Sequence, residues 1–160
     1  MTTGLLPLVP TWLCELAAAV ALVRAAMVDA RERRLPNALT LAVAVLGFGQ
    51  MALVAALRLP EPAGFSPVPV RILSASATLV VLFVFEQAWR RVRGSSGLGY
   101  GDVKLLGALA LWVGPSVSLV LAVSALLAAC VGIARGARSF AFGPYLVACG
   151  IVVMAVQSLP

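Results

Sequence analysis

The chain has 160 residues, 62% of them hydrophobic and only 11% charged, with a mean hydropathy of +1.05. A soluble domain is about half apolar and about a quarter charged, so this much apolar surface exceeds what one core of this size can bury, and its natural solvent is lipid. The formal charge of +6 comes from basic residues scattered between apolar runs; they form no nucleic-acid-binding face and read as topology signals.

The pattern is all-α and polytopic, with room for about six transmembrane helices of roughly 20 residues each and no soluble domain of useful size. The first apolar segment runs from about Pro10 to Val28 and ends at Asp29-Ala-Arg-Glu-Arg-Arg34. Its basic cluster follows the apolar run instead of preceding it, so it reads as a retained span and not as a signal peptide. The second runs from about Ala38 to Leu57, and a proline-rich loop, Arg58 to Pro69, separates it from the third, about Ile72 to Ala88. Trp89-Arg-Arg-Val-Arg93 closes the third. A glycine-rich stretch, Gly94 to Gly101, then leads into a short fourth segment, Val103 to Val113.

That fourth segment spans only if it begins inside the glycine-rich stretch, with its start at membrane depth against other helices, where irregular backbone is tolerated. Gly114-Pro115 breaks it from a fifth, about Ser116 to Ala134. The sixth runs from about Tyr145 to Leu159.

Arginine sets the orientation. If the loop after the first segment is cytoplasmic, so are the loops at 29–37, 90–102 and 135–143. They carry Arg31, Arg33, Arg34, Arg90, Arg91, Arg93, Arg135 and Arg138, with Lys104 just beyond, whereas the other side keeps Arg58 and Arg71. This is a positive-inside bias, and it puts both chain ends outside the cytoplasm.

The three cysteines, Cys14, Cys130 and Cys149, fall in three different apolar runs, and the chain has no CxxC pair and no histidine. No metal and no cofactor are expected, and the cysteines read as apolar filler. Chemistry rests with the acids: Glu15, Asp29, Glu32, Glu61, Glu86 and Asp102. Glu61 sits in the proline-rich loop and Glu32 among arginines, both solvated or paired. Glu86 precedes Arg90 by four residues, a helix-end ion pair. Glu15 lies near the outer end of the first segment, within reach of the interface.

Asp29 and Asp102 differ. One closes the first helix, the other opens the fourth, and the topology puts them at similar depth on the same side. Two carboxylates brought together cannot both ionise easily, so one holds a proton while the other is charged, as acid–base hydrolysis requires. The bland alternative makes Asp29 a helix-end residue and Asp102 an N-cap.

Local motifs bear on that choice. Gly99-Tyr-Gly-Asp102, continued as Val103-Lys104-Leu105, resembles the GxGD motif of type IV prepilin peptidases and preflagellin peptidases. Asp29, followed by Leu35-Pro36-Asn37, is similar to the family's first aspartate site, and Phe142-Gly143-Pro144-Tyr145 resembles the signature that opens its last helix. The resemblance covers nearly the whole chain. It implies one transmembrane peptidase domain over residues 1–160 and an aspartic endopeptidase of the inner membrane, with Asp29 and Asp102 catalytic at the cytoplasmic face. Its partners would be the lipid bilayer and a prepilin-like membrane substrate with a short basic leader.

Supporting roles fall to Pro36 at the start of the second helix, Asn37 capping or bonding across the site, and Gly99 and Gly101 beside Asp102. Lys104 would reach an interfacial phosphate or sit by Asp102, and Gly143 and Pro144 would open the last helix. No CxxC region precedes the first span, so the resemblance is to the short, peptidase-only form, without methyl transfer. Two other classes stay open: a GxGD protease acting on other membrane proteins or signal peptides, and a scaffold or transporter. Gln50 is the main mid-helix polar side chain that transport would draw on. The glycine-rich stretch has few residues to hold it, so it is expected to be mobile without substrate. Oligomeric state is not legible.

Overall fold

A computed structural model describes residues 9–58, 64–94, 97–136 and 141–158; Glu61 and Arg138 lie outside them. Six helices follow in order: α1 (Val9–Glu32), α2 (Asn37–Leu57), α3 (Val68–Arg93), α4 (Tyr100–Val113), α5 (Val117–Ala134) and α6 (Gly143–Gln157). The described residues are helical with short connections, as the apolar segmentation predicts. Four stretches are long and apolar enough to cross a membrane: Thr11–Glu32, Asn37–Leu57, Val68–Arg93 and the 35-residue run Tyr100–Ala134. The last is two helices. Gly114 adopts φ 58° and ψ −136°, a conformation that glycine takes without steric cost, and the 3₁₀ turn Gly114–Ser116 separates α4 from α5.

Hydrogen bonds between helix ends define how the bundle alternates. At one end Gly143 of α6 bonds Asp29 of α1, and Lys104 of α4 bonds Asn37 of α2. At the other, Ser158 just past α6 bonds Glu15 of α1, and Gln157 of α6 bonds Ser116 at the start of α5. Consecutive helices therefore run in opposite directions, and both aspartates lie at the same end as the basic clusters after α1, α3 and α5. Arg24 stands apart from those loop clusters. It is exposed on α1, five residues before Asp29, and a stem of its length lets the guanidinium snorkel toward a membrane surface.

The core is α4. Every residue from Leu105 to Gly114 is buried, as a helix that is apolar all round must be. Packed by α2, α3 and α6, its 14 residues reach only about 21 Å at 1.5 Å per residue, short of a lipid core of about 30 Å. It starts at Tyr100, inside the glycine-rich stretch as the sequence anticipates. The outer helices show apolar side chains to the outside: Leu73 is 68% exposed, Val81 63% and Leu126 65%. A continuous exterior of this kind is matched to lipid.

The end opposite the aspartates is tied by a buried polar network. Arg71, 4% exposed, donates from Nε to the Leu111 carbonyl at 2.6 Å and from Nη2 to Gln50 Oε1 at 3.0 Å. Gln50 donates to Glu15 Oε1 at 3.2 Å, and Ser158 donates to Glu15 Oε2 at 2.7 Å. Glu15 therefore turns inward rather than reaching the interface. Arg71 joins three helices instead of resting in a loop, and Gln50 is the link between them. Buried polar groups bonded this fully stiffen a core.

Candidate active site

Two helix ends present the aspartates. α1 runs one turn past Asp29, to Glu32, before Arg33 leaves the helix with φ 53°, an unusual conformation for a residue with a Cβ. Asp29 is thus inside the last turn and buried, 6% exposed. Its Oδ2 accepts a hydrogen bond from the Gly143 backbone N–H at 3.1 Å. Gly143 is the first residue of α6, so the carboxylate sits on a helix N-terminus, where unpaired N–H groups and the helix dipole favour an anion.

The glycine is a steric requirement. A Cβ at 143 would lie 2.6 Å from Asp29 Oδ2 and 3.0 Å from its Cγ. Pro144 follows in the first turn of α6, where its missing N–H costs nothing. The Phe-Gly-Pro sequence thus has a local physical reason: aromatic N-cap position, glycine under the carboxylate, proline to start the helix.

Asp102 is the third residue of α4, whose N-cap is Gly99 with φ −65° and ψ 141°. It is therefore within the first turn and not the N-cap that the bland reading supposes. Its carboxylate reaches back to accept the Gly99 backbone N–H, the return half of a capping box. Asp29 lies near enough for its charge to act on the Asp102 carboxyl. The two acids, 73 positions apart in the sequence, are brought to one end of the bundle on separate helices.

The other motif residues surround them. Pro36 occupies the N-cap position of α2, with φ −67° and ψ 122°. Asn37 begins that helix, and its Oδ1 accepts from Lys104 Nζ at 3.2 Å. Lys104 is exposed and ties α4 to α2, a partner that neither sequence reading of this lysine named. Gly101 faces Leu35: a Cβ there would lie 3.0 Å from Leu35 Cβ and 3.4 Å from its Cδ1. The Leu-Pro-Asn element and the GxGD element are therefore in contact, one seated on the other.

Residues 16–133 match the profile described as the type IV leader peptidase family. The chain belongs to that family. Among relatives, it is 32% identical over 140 residues to the prepilin leader peptidase/N-methyltransferase of Neisseria gonorrhoeae, covering 85% of this chain and 46% of that protein. The protein of the same name from Xanthomonas campestris is 32% identical over 135 residues, 79% of this chain and 44% of the relative. That of Aeromonas salmonicida is 33% identical over 99 residues, 57% and 34% respectively. The chain thus spans less than half the length of the curated relatives it matches. No solved structure matches it significantly. Family membership and the apolar helices together make it an integral membrane protein.

One contributor to the site carries no local signature in the sequence. Glu86 does pair with Arg90, Oε1 to Nε at 2.5 Å. It is also wholly buried, and its second oxygen accepts from the Gly97 and Leu98 backbone N–H groups at 3.2 and 2.7 Å. The segment just before Asp102 is therefore held, which departs from the expectation of a loop with little to hold it. An acid four residues before an arginine reads as a helix pair; the second partner, eleven and twelve residues on, has no local signature.

Proposed function

We propose that the chain is an aspartic endopeptidase that removes the short basic leader of a prepilin-like membrane substrate, with Asp29 and Asp102 activating water between them. The observation that carries the reading is the placement of Asp29 on α1 and Asp102 on α4 at the same end of the bundle, near enough for the charge of one to act on the other, in a chain of the leader peptidase family.

Two neighbouring carboxyls share protons unequally. The ionised one takes a proton from water as the water oxygen attacks the scissile carbonyl carbon, while the protonated one hydrogen-bonds the carbonyl oxygen. The proton taken from water then passes to the leaving amide nitrogen as the C–N bond breaks, giving a carboxylic acid and an amine. Each carboxyl is steadied by a backbone N–H, Gly143 for Asp29 and Gly99 for Asp102. Holding acids this way sets orientation before the substrate arrives.

The arginine-rich end of the bundle carries both acids, which supports a cut at the cytoplasmic face of the inner membrane. A substrate with a positive leader and an apolar helix would present its junction at that depth. Co-expression with such a substrate tests the reading. The mature protein should begin, by N-terminal sequencing, at the leader–helix junction with the wild-type chain and remain unprocessed with Asp29→Asn or Asp102→Asn. An unprocessed substrate with the wild-type chain, or processing by either variant at the wild-type level, would overturn it.

A further inference from the structure

We infer that Glu86 is a positioning residue: it anchors Gly97 and Leu98 and thereby fixes Asp102 at the start of α4. The inference deepens the proposed function and rests on it for the role of Asp102.

A carboxylate with no exposed surface persists only when fully bonded. Glu86 divides its two oxygens between two tasks, Oε1 for the Arg90 guanidinium and Oε2 for two consecutive backbone N–H groups, Gly97 and Leu98. The next residue, Gly99, is the N-cap of α4, and its N–H is held by Asp102. The sequence of bonds from Glu86 to the Asp102 carboxyl thus crosses only the backbone of Leu98 and Gly99.

Two further features of α3 grip the same segment. The Arg90 guanidinium lies over the Tyr100 ring at 4.2 Å, and Tyr100 is the first residue of α4. Gly97 is seated on Trp89, where a Cβ would come within 2.7 Å of the indole Cδ1. Bonds to charged groups are stronger than neutral ones, and Glu86 makes two of them to the backbone of this segment.

Glutamine is the discriminating substitution, because it keeps the shape. Its single carbonyl can serve one side only, leaving its NH₂ donors against either the Arg90 N–H or the loop N–H groups. Glu86→Gln and Gly97→Ala, each in the full chain in lipid nanodiscs, should show faster amide exchange at Gly97 and Leu98 and a shifted ¹³C carboxyl resonance of Asp102. Gly97→Ala loosens the same docking without touching Glu86, so it keeps the test open should Glu86→Gln fail to insert.

On a substrate with a basic leader and an apolar helix, kcat should fall by about 10- to 100-fold while KM changes little. Unchanged exchange and an unmoved Asp102 resonance in both variants would overturn the anchor. Faster exchange with wild-type kcat would overturn the positioning role. A wild-type chain that cleaves nothing, yet whose Asp102 resonance moves in Glu86→Gln, would support the anchor and count against the substrate reading instead.

Discussion

Replacing Gly143 with alanine adds one methyl group and removes no chemical function, yet it should disable Asp29. The new Cβ would lie 2.6 Å from Asp29 Oδ2. The carboxyl oxygen would have to retreat by about 0.8 Å to reach ordinary contact, and a 1 Å misplacement of a catalytic group is enough to cost about 100-fold. The retreat also weakens the 3.1 Å bond from the Gly143 N–H, a charge-assisted bond worth about 1.5–3 kcal/mol. Stability should fall modestly as well: Gly143 is the first residue of α6, and even the full helix-interior preference for alanine, about 0.5–1 kcal/mol, is smaller than the bond it weakens. The assay is release of the leader peptide from a prepilin-like substrate in membranes, quantified by mass spectrometry beside a thermal-melt measurement. The expected result is kcat lowered by about 100-fold in a protein that still folds, with a modestly lowered melting temperature. Cleavage at the wild-type rate would refute the placement of Asp29 on the α6 N-terminus, and loss of the folded protein would refute the claim that Gly143 acts only through the carboxyl.

Three further outcomes are expected. Gly101→Val should be worse than Gly101→Ala, because a Cβ there already meets Leu35 at 3.0 Å and a branched side chain adds bulk that this contact cannot yield; equal cleavage rates for the two would contradict it. The pH–rate profile should be bell-shaped, activity requiring one carboxyl ionised and one protonated, with the two apparent pKa values belonging to the pair; a profile with a single limb would argue against two acids. Cysteines introduced at positions 64 and 135 should be labelled from opposite faces of the membrane, and labelling from one face would break the six-helix alternation.

The bundle was legible in the sequence where hydrophobic runs and punctuation were strong. The Gly114-Pro115 break, the short fourth segment and the arginine bias all read directly, because spans, breakers and cations leave local signals. Helix ends were less legible: α1 continues through Asp29 to Glu32 and α3 to Arg93, since charged residues extend a helix once it leaves the apolar layer. The candidate acids stood out because unpaired charge is costly in lipid. Their surroundings did not. The Asp29–Gly143 bond joins residues 114 positions apart, and the grip of Glu86 on Gly97 and Leu98 depends on how α3 meets α4. Arg71 misled for the same reason. It reads as a sparse outer-face cation, but it is buried and bonded to Gln50 and the Leu111 carbonyl.

The most direct test of the central claim is a cleavage measurement with the purified chain alone in lipid nanodiscs, comparing wild type, Asp29→Asn and Asp102→Asn on one prepilin-like substrate. Mass spectrometry would follow the released leader. The wild-type chain should release it with a single cut at the leader–helix junction, and each asparagine variant, folded and inserted, should release none. A wild-type chain that leaves the substrate whole, or either variant cutting at the wild-type rate, would contradict the assignment of Asp29 and Asp102 as the catalytic pair.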